Sequence, residues 1–236
     1  MAFSYPASFV EPTHRRVRVR LGGTVVADST RAQLLIQYAP GPRLPTYYLP
    51  RADVTPGALV DGAGGRWSVV AGDRRAESAA WADAEHPELA DHVTFSWTDL
   101  DWYEEDEQVF AHARDPHHRV DTVRSSRRVE VYVKGELVAN SVRPTLLFET
   151  HLPTRYYLPA TDVRTDLLSA SDTISYCPYK GWARYLSHPE VADVAWSYPD
   201  PIPENPKIRD LISFYNERVD LVVDGVPLEP PQTPWS

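Results

Sequence analysis

The chain contains its own near-copy, and this duplication limits what it can fold into more than any other feature. Residues 17–29, VRVRLGGTVVADS, return as residues 129–141, VEVYVKGELVANS. Val17, Val19 and Leu21 alternate in the first copy, and Val129, Val131 and Val133 in the second. A period of two marks a strand with one buried face. Gly22-Gly23 and Lys134-Gly135 stand where a tight hairpin needs positive φ. The register stays constant through the identical pairs Gly23 and Gly135, Ser29 and Ser141, Arg31 and Arg143, and Leu35 and Leu147. After a short contraction, Tyr47-Tyr48-Leu49-Pro50 meets Tyr156-Tyr157-Leu158-Pro159, and Asp53-Val54 meets Asp162-Val163.

The later parts of the copies align more loosely. Ala80-Trp81 parallels Ala195-Trp196, and residues 93–97 parallel 212–215. Before the latter lie candidate helical turns at 87–92 and 206–211, each opened by a proline suited to a first helical position. Strands are expected at 100–104 and 218–223, the second followed by the Asp224-Gly225 turn. The expected fold is all-β: two tandem domains of short antiparallel strands, each with one short helix. The first spans 1–113 with an N-terminal extension, and the second spans 129–236 with a Pro-rich tail. Residues 114–128, RDPHHRVDTVRSSRR, read as a connector.

Composition narrows function. The 22 prolines and 11 glycines suit short strands and turns rather than helices. A net charge of −9 argues against nucleic acid or an anionic membrane as partner, since both require excess Lys and Arg. Cys177 is the only cysteine, which rules out an internal disulfide and fits a reducing compartment. Residues 1–12 lack a signal-peptide core, and no stretch has the length of a bilayer span, so a cytoplasmic protein is expected. No Gly-rich phosphate loop, dinucleotide fingerprint, G-x-S-x-G or H-E-x-x-H occurs.

A further set of residues is specific in its order. It comprises Leu147-Phe148-Glu149-Thr150, Arg155-Tyr156-Tyr157-Leu158-Pro159, Cys177-Pro178-Tyr179-Lys180-Gly181, Ala195-Trp196-Ser197-Tyr198-Pro199 and Phe214-Tyr215. With Trp102 to Glu107 in the first copy, these residues resemble the family catalogued as domain of unknown function 427, in tandem form. The resemblance implies a β-tent fold, two small antiparallel sheets pinned at one edge and open at the other, similar to the thalidomide-binding domain of cereblon and to methionine sulfoxide reductase B. Several such relatives pin the sheets with a zinc ion held by paired cysteines, an arrangement a single cysteine cannot supply. No metal or other cofactor is therefore expected.

Candidate chemistry gathers at few places. Cys177 beside Lys180 reads as a nucleophilic or redox thiol, or as a turn in which Lys180 pairs with a carboxylate. The first copy has 61–67, DGAGGRW, at that place. Arg31 and Arg143, each retained with Asp53 or Asp162, read as structural ion pairs or as anion-recognising arginines. The acidic run 102–107 reads as a strand end and turn, or as a carboxylate pair for acid/base work or a hard cation. His117 and His118 lie in the connector, and His112 is placed to reach the acidic strand.

The leading expectation is a small-molecule-binding protein with an aromatic-lined pocket in one or both copies. Tyr48, Trp81 and Trp97, with Arg31 and His112, would line the first. Tyr157, Cys177, Lys180, Trp196 and Tyr198, with Arg143, would line the second. The alternatives are an enzyme using Cys177 and Lys180, and a protein-interaction module.

Overall fold

The computed structural model describes residues 7–38 and 43–233. Residues 1–6 of the segment read as lacking a signal core, and 234–236 of the Pro-rich tail, lie outside the described residues. The chain divides into two units, Met1–Asp115 and Pro116–Ser236. Among the described residues, no helix is long and apolar enough to cross a membrane.

The first unit has eleven strands: β1 (Ser8–Pro12), β2 (Val17–Leu21), β3 (Thr24–Ser29), β4 (Gln33–Gln37), β5 (Arg43–Pro50), β6 (Leu59–Asp61), β7 (Trp67–Ala71), β8 (Arg74–Trp81), β9 (His92–Phe95), β10 (Asp101–Glu104) and β11 (Glu107–Val109). The second has β12 (Val120–Arg124), β13 (Val129–Val133), β14 (Glu136–Ser141), β15 (Thr145–Glu149), β16 (Arg155–Leu158), β17 (Ser169–Cys177), β18 (Gly181–His188), β19 (Val191–Ser197), β20 (Ile212–Phe214), β21 (Asp220–Val223) and β22 (Val226–Leu228). Each unit forms a seven-stranded and a four-stranded antiparallel sheet with matching strand orders. These are β1-β4-β5-β9-β8-β7-β6 with β3-β2-β10-β11, and β12-β15-β16-β20-β19-β18-β17 with β14-β13-β21-β22. The fold is all-β and tandem. The helical turns expected at 87–92 and 206–211 are single 3-10 turns, Pro87–Leu89 and Pro206–Ile208, and similar turns follow β5 and β16.

The alternation read from the hairpins sets the core. Val17, Val19, Val129, Val131 and Val133 are buried between the sheets. Arg18 and Arg20 point the other way, with Arg20 stacked 4.5 Å over the Tyr103 ring. Both hairpins turn on two consecutive positive-φ residues, Gly22-Gly23 and Lys134-Gly135. Both carry a bulge at the same place, between Val19 and Arg20 and between Val131 and Tyr132.

The stretch read as a connector contains a strand. β12 pairs with β15, Val120 opposite Glu149, as β1 pairs with β4, Ser8 opposite Gln37. The repeat therefore begins before the hairpin. These strands share no identical residue, and only pairing with a common neighbour reveals them as equivalent.

A seam ties the two sheets of each unit together. Ser29 Oγ donates to Asp53 at 2.7 Å, and Ser141 Oγ to Asp162 at 2.8 Å. Backbone bridges Ala27 to Val54 and Ala139 to Val163 run alongside. Arg143 and Ser141 hold the Asp162 carboxyl down at about 2. The acidic run 102–107 is likewise used locally: Glu104 accepts from Tyr47 at 2.8 Å and pairs with Arg15 at 3.1 Å.

Candidate functional site

Each seven-stranded sheet has a second face, turned away from its four-stranded partner, and here the two units differ. In β15 and β16, Leu146, Tyr156 and Leu158 enter the core between the sheets. The alternate residues Leu147 and Tyr157 enter a separate cluster with Ala183, Trp196, Tyr198 and Ile208. Glu149 follows Leu147 at the same strand parity, so a carboxylate is carried to that face.

The β17–β18 hairpin brings the groups that meet it. These strands have nine and eight residues, against three and five in β6 and β7. The tip, Cys177 to Gly181, is a turn closed by Lys180 N–H to the Cys177 carbonyl at 3.0 Å. Gly181 is required there. Its φ is +106°, and a Cβ would lie 3.0 Å from the Asp200 carbonyl oxygen. Asn205 anchors the tip by donating to the Tyr179 carbonyl at 2.8 Å.

From this tip Lys180 Nζ reaches Glu149 Oε2 at 2.5 Å, and His118 Nε2 lies 3.0 Å from Glu149 Oε1. Both side chains of the Lys180–Glu149 pair are buried, at 11% and 6% exposure. Burial alone would raise the Glu149 pKa, but the hydrogen bond from His118 and the charge of Lys180 outweigh it and bring it to about 2. Burial opposes charge on Lys180 as well, yet Cys177, Glu149 and Tyr157 together push its pKa above the ordinary value. Trp196 Nε1 donates to Tyr157 Oη at 3.0 Å, and the Tyr198 ring centroid lies 6.5 Å from that of Tyr157. Burial drives both phenols well above their usual pKa. Tyr157, Cys177, Lys180, Trp196 and Tyr198 thus come together in one cluster.

The rest of this face is filled from within. Trp196 and Tyr215 lie 4.6 Å apart, and the Arg155 guanidinium sits 5.6 Å and 5.8 Å from their centroids. Arg155 is bound bidentately by Glu217, both bonds 2.7 Å, with side-chain exposures of 6% and 0%. A built-in cation packs against both rings of this aromatic pair. Ser213, opposite both Tyr157 and Trp196, has a buried hydroxyl with no hydrogen-bond partner.

The first unit does not assemble its expected pocket residues in one place. Tyr48 packs with Leu35 and Leu89, on the side of the sheet where Trp81 lies near its phenol. Burial pushes its phenol up to about 12. Trp97 instead stacks on Trp102 at 4.4 Å and 13°, and donates to Thr46 Oγ1 at 2.8 Å. It lines a concavity of about 250 Å³ with Asp99, Asp101, Gln108 and Phe110, which includes neither Tyr48 nor Trp81. His112 Nδ1 lies 2.6 Å from the Ala113 carbonyl oxygen. Arg31 and Arg143 lie at the seams, each side chain 64% exposed.

Sequence reasoning missed Glu149, His118 and Arg155 as members of the cluster. The signal for the first was a carboxylate in register with Leu147 on an alternating strand. Among the described residues, no group of three or more His, Cys, Asp or Glu side chains is arranged to hold a metal ion.

No curated protein sequence matches the chain. Residues 9–106 and 121–225 each match the family described as domain of unknown function (DUF427). The two matched segments coincide with the two copies of the fold and together take in most of the chain. The protein belongs to the DUF427 family and carries its domain twice.

Proposed function

We propose that the second unit is the working copy and binds a small, partly apolar, cyclic molecule beside the β17–β18 hairpin tip. Lys180 and Glu149 would anchor its polar end, with the edges of Cys177, Tyr185 and Tyr215 as its walls. One observation carries this reading. Buried ionisable side chains converge on a single sheet face in one copy, where burial and charge partners shift several of their pKa values together. The first copy has Gln37 where Glu149 stands and no counterpart of the hairpin tip.

Calorimetric titration of the full chain against a metabolite library tests the reading. A binder is expected that Lys180→Met loses and Tyr48→Phe, in the first copy, keeps. A folded chain that binds no member of the library counts against it.

A second reading rests on the closeness of Cys177 to Lys180, which share one tight turn closed by the Lys180 N–H to the Cys177 carbonyl. In it Cys177 is a nucleophile or redox thiol. Alkylation of the folded chain as a function of pH separates the two readings. A rate equal to that of a free thiol and unmoved by Lys180→Met sinks the enzymatic one.

A further inference from the structure

The two seams, so alike in sequence, leave their arginines in different states. Arg143 makes three bonds: Nε donates to Asp162 Oδ2 at 3.1 Å, and Nη2 donates to Asp162 Oδ1 and to Thr161 Oγ1, both at 2.8 Å. In the first unit Ala52 stands where Thr161 does, and Arg31 keeps one bond, Nη2 to Asp53 Oδ1. Its other N–H donors have no protein partner among the described residues.

Beside it the sequence adds a second guanidinium. Arg51 occupies the position of Ala160, and its guanidinium lies 4.7 Å over the Trp67 ring with no carboxylate partner. Arg31 and Arg51 both line a groove of about 600 Å³, together with Gln33, Pro50, Asp91 and His92. His92 has its Nδ1 buried without a hydrogen-bond partner. In the second unit Gln33, Arg51 and His92 are replaced by Thr145, Ala160 and Leu211, as strand pairing and the 3-10 turns align the copies. The first unit has thus loosened one arginine, gained another, and placed an amide and an imidazole beside them around one concavity. Asp91 is the single carboxylate lining it.

We propose that this groove binds a small oxyanion of the phosphate class, held between the guanidinium groups of Arg31 and Arg51. Two planar forks with unpaired donors suit a tetrahedral dianion, whose oxygens accept from both. Gln33 and His92 supply neutral hydrogen bonds at the flank. The site is independent of the cluster in the second unit, and neither requires the other.

Titrating the full chain with inorganic phosphate at constant pH, followed by the imidazole NMR signals of His92 and by calorimetry, tests this. Phosphate is expected to move the His92 signals. Arg51→Ala and Arg31→Ala are each expected to weaken binding about tenfold or more, as befits loss of charge-assisted hydrogen bonds. Arg51→Ala removes a side chain stacked on the Trp67 ring and keeps the backbone bond to Asp91, and removing Arg31 leaves the Ser29–Asp53 bond in place, so both variants are expected to keep the fold. Arg143→Ala, at the equivalent seam, is expected to bind like the parent. Unmoved His92 signals, or parental affinity in both the Arg31 and Arg51 variants, overturns the proposal.

Discussion

Where the first unit's seven-stranded sheet has Gln37 and Thr46 on its outer face, the second has Glu149 and Arg155. The Tyr48–Trp81 contact of one recurs as Tyr157–Trp196 in the other. A shared aromatic pair has thus been kept while its surroundings moved from neutral to charged. The first unit satisfies this face with a threonine and an indole, Thr46 and Trp97. The second uses two buried ion pairs, each needing its partner to remain folded. The seams show the reverse: there the second unit's arginine makes three bonds and the first unit's makes one. Each copy has diverged in a different place, on a frame that both retain.

The sharpest way to break this comparison is to remove the carboxylate from one buried ion pair. Glu217→Ala deletes both carboxylate bonds of the buried Arg155 guanidinium and is expected to destabilise the second unit by about 3–5 kcal/mol. Thr46→Ala, at the matching position of the first unit, removes two neutral hydrogen bonds, to Trp97 and Thr94, and is expected to cost about 1–2 kcal/mol. Urea unfolding of both variants measures the difference, and equal losses would mean the two faces are held in the same way.

Acid gives the next effect. The Glu149 pKa is about 2 in the folded chain, against an ordinary value of 4.5. A depressed carboxylate contributes stability that is fully present above its unfolded pKa and is lost as pH falls through the folded one. Glu149 should therefore contribute on the order of 3 kcal/mol at neutral pH, disappearing between about pH 4.5 and 2. Glu149→Gln, which copies the first unit's Gln37, should flatten the pH dependence of stability in that window. A parallel pH profile for variant and parent would remove Glu149 as the source.

The smallest effect should be symmetric. Ser29→Ala and Ser141→Ala each delete a hydrogen bond to a seam aspartate and one from the backbone N–H two residues on, and are expected to cost about 1–2 kcal/mol apiece. Thermal unfolding of the two variants checks whether the seam is the common frame. A strong inequality would show that the Arg143 network, rather than the serine, carries it in the second unit.

Much of the frame is legible in local sequence because it depends on local rules. Alternating valines place their own faces, and Gly23 and Gly135 mark their own turns. Ser29 and Asp53 recur as Ser141 and Asp162 at nearly the same separation. Strand β12 is not legible, because Val120–Arg124 shares no residue with Ser8–Pro12 and owes its pairing to β15. The site is legible only in part. Cys177, Lys180, Tyr157 and Trp196 stand out by residue type. Their convergence on Glu149 depends on a long hairpin folding back across the sheet, and His118 approaches from a segment that reads as a connector. Arg155 is hidden for another reason. One residue before a Tyr-Tyr pair, it looks like a solvent-facing strand position, and its bidentate partner Glu217 lies far along the chain.

The parallel stack of Trp97 on Trp102 has an optical consequence. Two indoles at 4.4 Å and 13° couple their electronic transitions, and such coupling gives paired circular-dichroism bands of opposite sign in the ultraviolet. In the second unit Trp196 meets a phenol and a guanidinium rather than a second indole. Among the described residues, the stacked indole pair and its couplet belong to the first unit. Melting of the first unit can be followed through its couplet while the second is still folded, without attaching a label to either.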